Sequence, residues 1–190
     1  MDFLHSQQLT RLDGYYHRFM TAGTFRWGIG SLGAYTITVT PPRNPPTPEG
    51  ASIDLQYDEA SGLYVTTQTS ININQEDYVL WHVETHAPGA PPFSIIGTDF
   101  NSRELADEDA FSHFFMLPGV YKYSVSGGGS QQGSIRVIQP MQADLPRTAQ
   151  AHLVEISDRT SPNPETLAII AGDTVHWDII CGTDLVIKSV

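Results

Sequence analysis

One nine-residue pattern occurs twice. Ile73-Asn74-Gln75-Glu76-Asp77-Tyr78-Val79-Leu80-Trp81 returns as Ile169-Ile170-Ala171-Gly172-Asp173-Thr174-Val175-His176-Trp177, with Ile, Asp, Val and Trp matched at a constant offset of 96. An interval near one hundred residues is too long for a solenoid repeat and suits a small β-sandwich domain. The spacing therefore predicts one complete sandwich followed by the opening of a second. Trp81 and Trp177 are expected as core or corner packers, since each can bury on the order of 200 Å².

The flanking sequence has the period of strands. Tyr35-Thr36-Ile37-Thr38-Val39-Thr40 and Ile53-Asp54-Leu55-Gln56-Tyr57 alternate apolar with polar, and Leu63 to Thr67 is β-branched and aromatic. The proline-rich stretch Pro41 to Pro48 cannot donate ladder hydrogen bonds and is expected as an extended surface connection. Asp58-Glu59-Ala60-Ser61-Gly62 is expected as a hairpin turn. Residues 1–30 differ: Leu9, Leu12, Tyr16, Phe19 and Met20 fall at helical spacing with Gly23 as a stop, and the stretch is net +1 against −12 for the remainder. The expected division is an N-terminal amphipathic arm (1–30), a complete sandwich (31–139), a linker (140–150) and a partial second sandwich (151–190). The arm's stripe packs on the chain's own core or docks on a partner or a membrane surface, with Leu9, Leu12, Tyr16, Phe19, Met20, Arg11 and Arg18 as the candidate docking residues.

Charge and cysteine usage exclude several classes. Ten basic against 21 acidic residues leave −11, so nucleic acid is not expected as a partner without a local basic patch. Cys181 is the one cysteine, which forbids an intrachain disulfide and a thiolate zinc cluster. In its apolar setting, Ile179-Ile180-Cys181-Gly182, it reads as an inert thiol. No apolar run approaches a membrane span, and Met1 is not followed by the tripartite pattern of an export signal.

Both copies of the repeat resemble the cupredoxins, in which an apolar strand leads into Gly-Asp-Thr-Val-x-Trp; Ala171 to Trp177 keeps this almost whole. Phe111-Ser112-His113-Phe114-Phe115-Met116-Leu117-Pro118-Gly119-Val120-Tyr121-Lys122-Tyr123 is similar to the family's phenylalanine strand, Pro-Gly turn and Tyr-x-Tyr strand, and Gly133 to Val137 to its closing strand. The resemblance implies a Greek-key β-sandwich. It also implies a copper site of two His, a Cys and usually a Met, because imidazole and thiolate suit copper while a weak axial ligand tunes it. Counted on from Pro118-Gly119, the cysteine position holds Val125, the second histidine position Gly128 and the methionine position Gln131; the upstream histidine position holds Phe93, or Leu185 in the second copy. None supplies a thiolate or an imidazole, so no cofactor is expected.

Other chemistry-bearing residues are sparse. His82, Glu84 and His86 alternate and would share one strand face, where they could hold a metal or simply face water. His113 and His176 sit in apolar strands, Gly127-Gly128-Gly129 lacks the Lys-Ser/Thr and helix of a phosphate loop, and the acidic run Ser102 to Asp109 reads as a solvated turn. The expectation is an all-β, non-enzymatic structural or docking subunit that binds other protein subunits. By family analogy this is an extrinsic subunit of a respiratory or photosynthetic membrane complex. Its alternatives are a metalloprotein on His82, Glu84 and His86, and a carbohydrate- or peptide-binding sandwich using exposed Tyr and Trp. The expected compartment is the cytoplasm, on the membrane face if a complex is involved; the family implies the periplasm.

Overall fold

The computed structural model describes residues 4–84, 89–127, 131–141 and 146–190. Among these the chain forms β-strands and no helix, and it divides into two compact units, residues 8–103 and residues 104–190 together with 4–7.

The first unit contains β1 (Asp13–Arg18), β2 (Gly23–Ile29), β3 (Tyr35–Thr40), β4 (Gly50–Asp58), β5 (Leu63–Val65), β6 (Ser70–Asn74), β7 (Tyr78–Val83) and β8 (Ile95–Gly97). One sheet has the order β6-β3-β2-β8; β1-β7-β4-β5 are neighbours in another. β3 with β6 and β4 with β7 are parallel, and the other neighbours pair antiparallel. Alternation along the strands decides which side chains face inward. Trp27, Ile37, Val39, Ile73 and Ile95 come from one sheet, and Tyr15, Ile53, Leu55, Val79 and Trp81 from the other; all are buried. Trp27 and Trp81 meet edge-on at 5.7 Å.

The expected N-terminal helix is absent. Residues 13–18 are strand β1, paired antiparallel with β7 from Gly14 opposite His82 to Arg18 opposite Tyr78. Tyr15-His17-Phe19 alternation competes with the helical spacing of Leu9, Leu12 and Tyr16, and stacking of Tyr15 on Trp81 (5.5 Å) favours the strand. Gly14, weak in a helix, opposes His82 in the ladder.

The second unit contains β9 (Asp109–Phe115), β10 (Gly119–Ser126), β11 (Gln131–Ile138), β12 (Ala151–Ser157), β13 (Thr166–Ile170), β14 (Asp173–Cys181) and β15 (Val186–Ser189). Its sheet order is β13-β11-β10-β15, with β12-β14-β9 adjacent in the other sheet. The parallel pairs are β11 with β13 and β12 with β14. This division differs from the expected one: β11, read as the close of a first domain, shares a sheet with β13, read as the opening of a second.

The two units repeat one another far beyond the nine-residue pattern. Tyr15 stacks on Trp81 as Phe111 does on Trp177, both at 5.5 Å. His17 meets Phe19 edge-on as His113 meets Phe115, both at 4.7 Å. The seal at one end is also duplicated. In the first unit Ser102 N donates to Ile95 O, and Ser102 Oγ accepts from Ile95 N, each at 2.9 Å. In the second, Ser6 N donates to Ile187 O (2.9 Å) and Ser6 Oγ accepts from Ile187 N (3.1 Å). Both serines are fully buried, so residues 4–7 are part of the second unit's structure rather than a free arm.

Candidate functional site

The repeated aspartates are clasps. Asp77 Oδ1 accepts from Glu49 N (2.8 Å) and from the Arg43 guanidinium, and Oδ2 accepts from Asn74 N (2.8 Å). Asp173 Oδ1 accepts from Gln150 N (2.8 Å) and Arg147, and Oδ2 accepts from Ile170 N and bonds His152 Nε2, both at 3.1 Å. Burial opposes ionisation of each carboxyl, but the converging N–H groups and the arginine outweigh it. The Asp77 pKa is lowered, and that of Asp173 falls to about 2. These acids tie a tight turn to an incoming strand. Their partners are backbone N–H groups, an arginine each and, for Asp173, a histidine.

The copper-ligand positions lie in two places. Phe93 belongs to the first unit, buried against Tyr64 at 4.8 Å. Val125, Gln131 and Leu185 belong to the second. Val125 is paired across β10 with Gln131 on one side and Ile187 on the other, and is 2% exposed. Leu185 is equally buried and lies so close to Gly127 that a Cβ there would sit 2.6 Å from Leu185 Cδ2. Gln131 Nε2 donates to Ser157 O (2.6 Å), and its buried Oε1 meets no donor among the described residues. Gly128, Gly129 and Ser130 lie outside the described residues. Leu185 takes the place in the second unit that Phe93 has in the first: Leu105 and Leu185 exchange two backbone hydrogen bonds just as Leu9 and Phe93 do. The sequence pairs Phe93 with Val125 because they follow each other along the chain, whereas the fold pairs Leu185 with Val125. A valine, a leucine and an amide oxygen do not fit copper, which asks for thiolate and imidazole.

The histidine face resolves differently from its expectation. His82 Nε2 lies 2.6 Å from Asp54 Oδ1 and 2.8 Å from Ser52 Oγ. A nucleophile triad needs the acid on one ring nitrogen and the hydroxyl on the other. Here both share Nε2, so the trio is a surface hydrogen-bond cluster. Glu84 is exposed, and His86 lies outside the described residues. Among the described residues no group of three or more His, Cys, Asp or Glu could hold a metal. Burial lowers the pKa of His176 and, ahead of Asp158, raises that of the Cys181 thiol, keeping both neutral.

The docking stripe read from the N-terminal segment is not brought together. Leu9 and Phe19 are core residues of the first unit, 0% and 1% exposed, while Met20 is exposed and Leu12 and Tyr16 are half-buried. Arg11 is exposed, and Arg18 donates to Glu76 O at 3.2 Å. Trp27, Trp81 and Trp177 are all fully buried, so no tryptophan face is available to stack on a sugar. The acidic run is part of the framework: Asp107 Oδ1 accepts from Gly182 N (2.7 Å) and Asp109 Oδ2 from Ala106 N (2.9 Å).

One surface that the sequence did not disclose is the outer face of sheet β13-β11-β10-β15. Lys122 on β10, Arg136 on β11 and Lys188 on β15 alternate outward together, and all three are exposed. Val120 opposes Arg136, and Ser124 opposes Lys188, so the three cations form a diagonal stripe across adjacent strands. They lie far apart in sequence, and only the strand register juxtaposes them. No family model matches the chain, and neither the curated proteins nor the solved structures contain a match to it.

Proposed function

We propose that this chain is a non-enzymatic docking module built on a cupredoxin-like Greek-key scaffold whose metal end is filled with hydrocarbon. The observation that carries the reading is the trio Val125, Leu185 and Gln131: where the family resemblance puts copper ligands stand two buried aliphatic side chains and an amide, with Val125 paired to Gln131 on β11 and to Ile187, two residues on from Leu185, on β15. The pairing of Tyr123 with Gly133 supports the scaffold, because a Cβ at Gly133 would lie 2.3 Å from the Tyr123 ring. That is a physical reason for the glycine downstream of the Tyr-x-Tyr strand. With Asp77 and Asp173 used as clasps, His17 and His113 in ring packing and His82 in a surface bond, the molecule contributes shape and surface. By family analogy alone the partner is a protein of a respiratory or photosynthetic membrane complex, bound peripherally from the cytoplasmic face.

Titration of the purified chain with Cu(II) and Cu(I), followed by visible absorption and by metal content after desalting, tests the reading. The expected result is no thiolate-to-copper absorption band and no stoichiometric copper. One retained copper per chain with such a band overturns it. The alternative of a metal at His82 and Glu84 is favoured only by the 2.6 Å approach of Asp54 to His82. It requires metal that is lost on His82→Ala.

A further inference from the structure

We propose that the outer face of sheet β13-β11-β10-β15 binds an acidic, extended segment of a partner protein through Lys122, Arg136 and Lys188. This rests on the docking reading above and names the surface and the chemistry of the partner. The two lysines on this face are the only lysines in the chain. Among the described residues Lys122, Arg136 and Lys188 form no ion pair or side-chain hydrogen bond, whereas Arg43 and Arg147 are each clasped to an aspartate. Outward positions on the four strands are Val120, Lys122 and Ser124; Gln132, Ser134, Arg136 and Ile138; Thr166, Ala168 and Ile170; Val186 and Lys188. No carboxylate stands among them. The face is thus +3 on a molecule whose net charge is −11, and Val120 (59% exposed) and Ile138 (44%) supply apolar surface beside the cations.

The other repeat serves as an internal control. Its equivalent face, on β6-β3-β2-β8, carries Thr24 for Val120, Thr38 for Arg136, Thr40 for Ile138 and Ile96 for Lys188. Its cation, Arg26, is occupied by Gly33 O at 2.9 and 3.2 Å. The scaffold therefore folds with threonine in place of Arg136 and isoleucine in place of Lys188. Arg136 and Lys188 are specific to one copy, and the position of Lys122 keeps a cation in both, bound to a backbone carbonyl in the first unit.

The spacing selects the occupant. Diagonal neighbours on adjacent antiparallel strands are about 7–8 Å apart, and alternate side chains of an extended peptide repeat at about 6.6–6.8 Å. Acidic side chains at every second position therefore run nearly in step with the stripe. The stripe is only on the order of 16 Å long, and the rest of the chain carries −14. Because charge is felt over a Debye length of about 8–10 Å, a broad anionic surface such as a membrane or a duplex would meet more repulsion than attraction. A short acidic segment meets the stripe alone.

The test is a titration of the full chain into a fluorescein-labelled peptide alternating glutamate and valine, read by anisotropy at low and physiological salt. Parallel arms use the lysine-valine counterpart, phosphatidylserine-containing vesicles and a single-stranded oligonucleotide. The expected result is saturable, salt-sensitive binding of the acidic peptide only, weakened about tenfold in the variant carrying Lys122→Gln, Arg136→Thr and Lys188→Ile. That variant takes two of its residues from the other repeat, and its unfolding midpoint should equal that of the wild type. Absence of peptide binding, binding unchanged in the variant, or tighter binding to vesicles or oligonucleotide overturns the proposal. If the native partner stays bound to the triple variant, this face is refuted while the docking reading stands; if no partner accompanies the wild type, the docking reading itself fails.

Discussion

Replacing Asp173 by asparagine isolates the element that the repeated Gly-Asp-Thr-Val pattern encodes. The carboxylate holds two backbone N–H groups, Arg147 and His152, with only 2% of its side chain exposed. An amide offers one oxygen, so the two donors aimed at the other position lose their acceptor. A buried donor left unsatisfied costs about 1–3 kcal/mol, and the loss of ion pairing to Arg147 adds to it, giving an expected destabilisation of about 3 kcal/mol. Asp77→Asn should cost less, about 2 kcal/mol, because Asp77 has no histidine partner and Arg43 is twice as exposed as Arg147 (31% against 16%). The wild-type clasp also carries a pH signature. Asp173 ionises at about 2 in the fold against 3.8 in the unfolded chain. The unfolded state therefore binds more protons in that window, and stability rises with pH there. The contribution is fully present above pH 4, is lost as pH falls towards 2, and amounts to about 1–2 kcal/mol after allowance for solvent screening at Arg147. Urea unfolding of both proteins at pH 7 and pH 3, followed by tryptophan fluorescence, measures both quantities. A change under 0.5 kcal/mol at pH 7, or a variant that loses as much stability on acidification as the wild type, would refute the reasoning.

Three further outcomes follow from particular positions. Glu76 has φ 76° where its counterpart Gly172 has φ 98°, so Glu76→Gly should stabilise the first unit by about 0.5–1 kcal/mol, read as a higher urea midpoint; a lower midpoint contradicts the strain. Gly133→Ala should destabilise by about 2–4 kcal/mol because its methyl meets the Tyr123 ring at 2.3 Å, and Tyr123→Leu in the same chain should recover part of that loss; calorimetry that finds Gly133→Ala neutral would contradict the close approach. His82→Gln, at a surface cluster with Asp54 and Ser52, should change stability by no more than about 0.5 kcal/mol and leave metal content by elemental analysis unchanged.

The parts of the fold that the sequence disclosed were those carried by local pattern. Alternation at Tyr35 to Thr40 and Ile53 to Tyr57 is strand in the structure, and the buried tryptophans of the repeat are core. What escaped was long range. Residues 109–115 and 169–177 look like members of different copies along the chain, yet β9 pairs with β14 from Asp173 opposite Phe115 to Asp178 opposite Ala110. A linear reading cannot see that a strand pairs with one sixty residues downstream, so it placed the boundary at the prolines after Gln139 and missed that Ser102 and Ser6 play one role. The N-terminal segment failed for a related reason: its apolar residues satisfy both periods, and only the partner strand β7 decides between them. The basic stripe escaped because strand register, not sequence distance, makes Lys122 and Lys188 diagonal neighbours.

The most direct test of the claim that this molecule works by adhesion is the native mass of the chain isolated from its source under gentle conditions. The account predicts a defined stoichiometric complex with another protein subunit and no bound copper. A chain that travels alone, or one carrying a full equivalent of the metal, would contradict it.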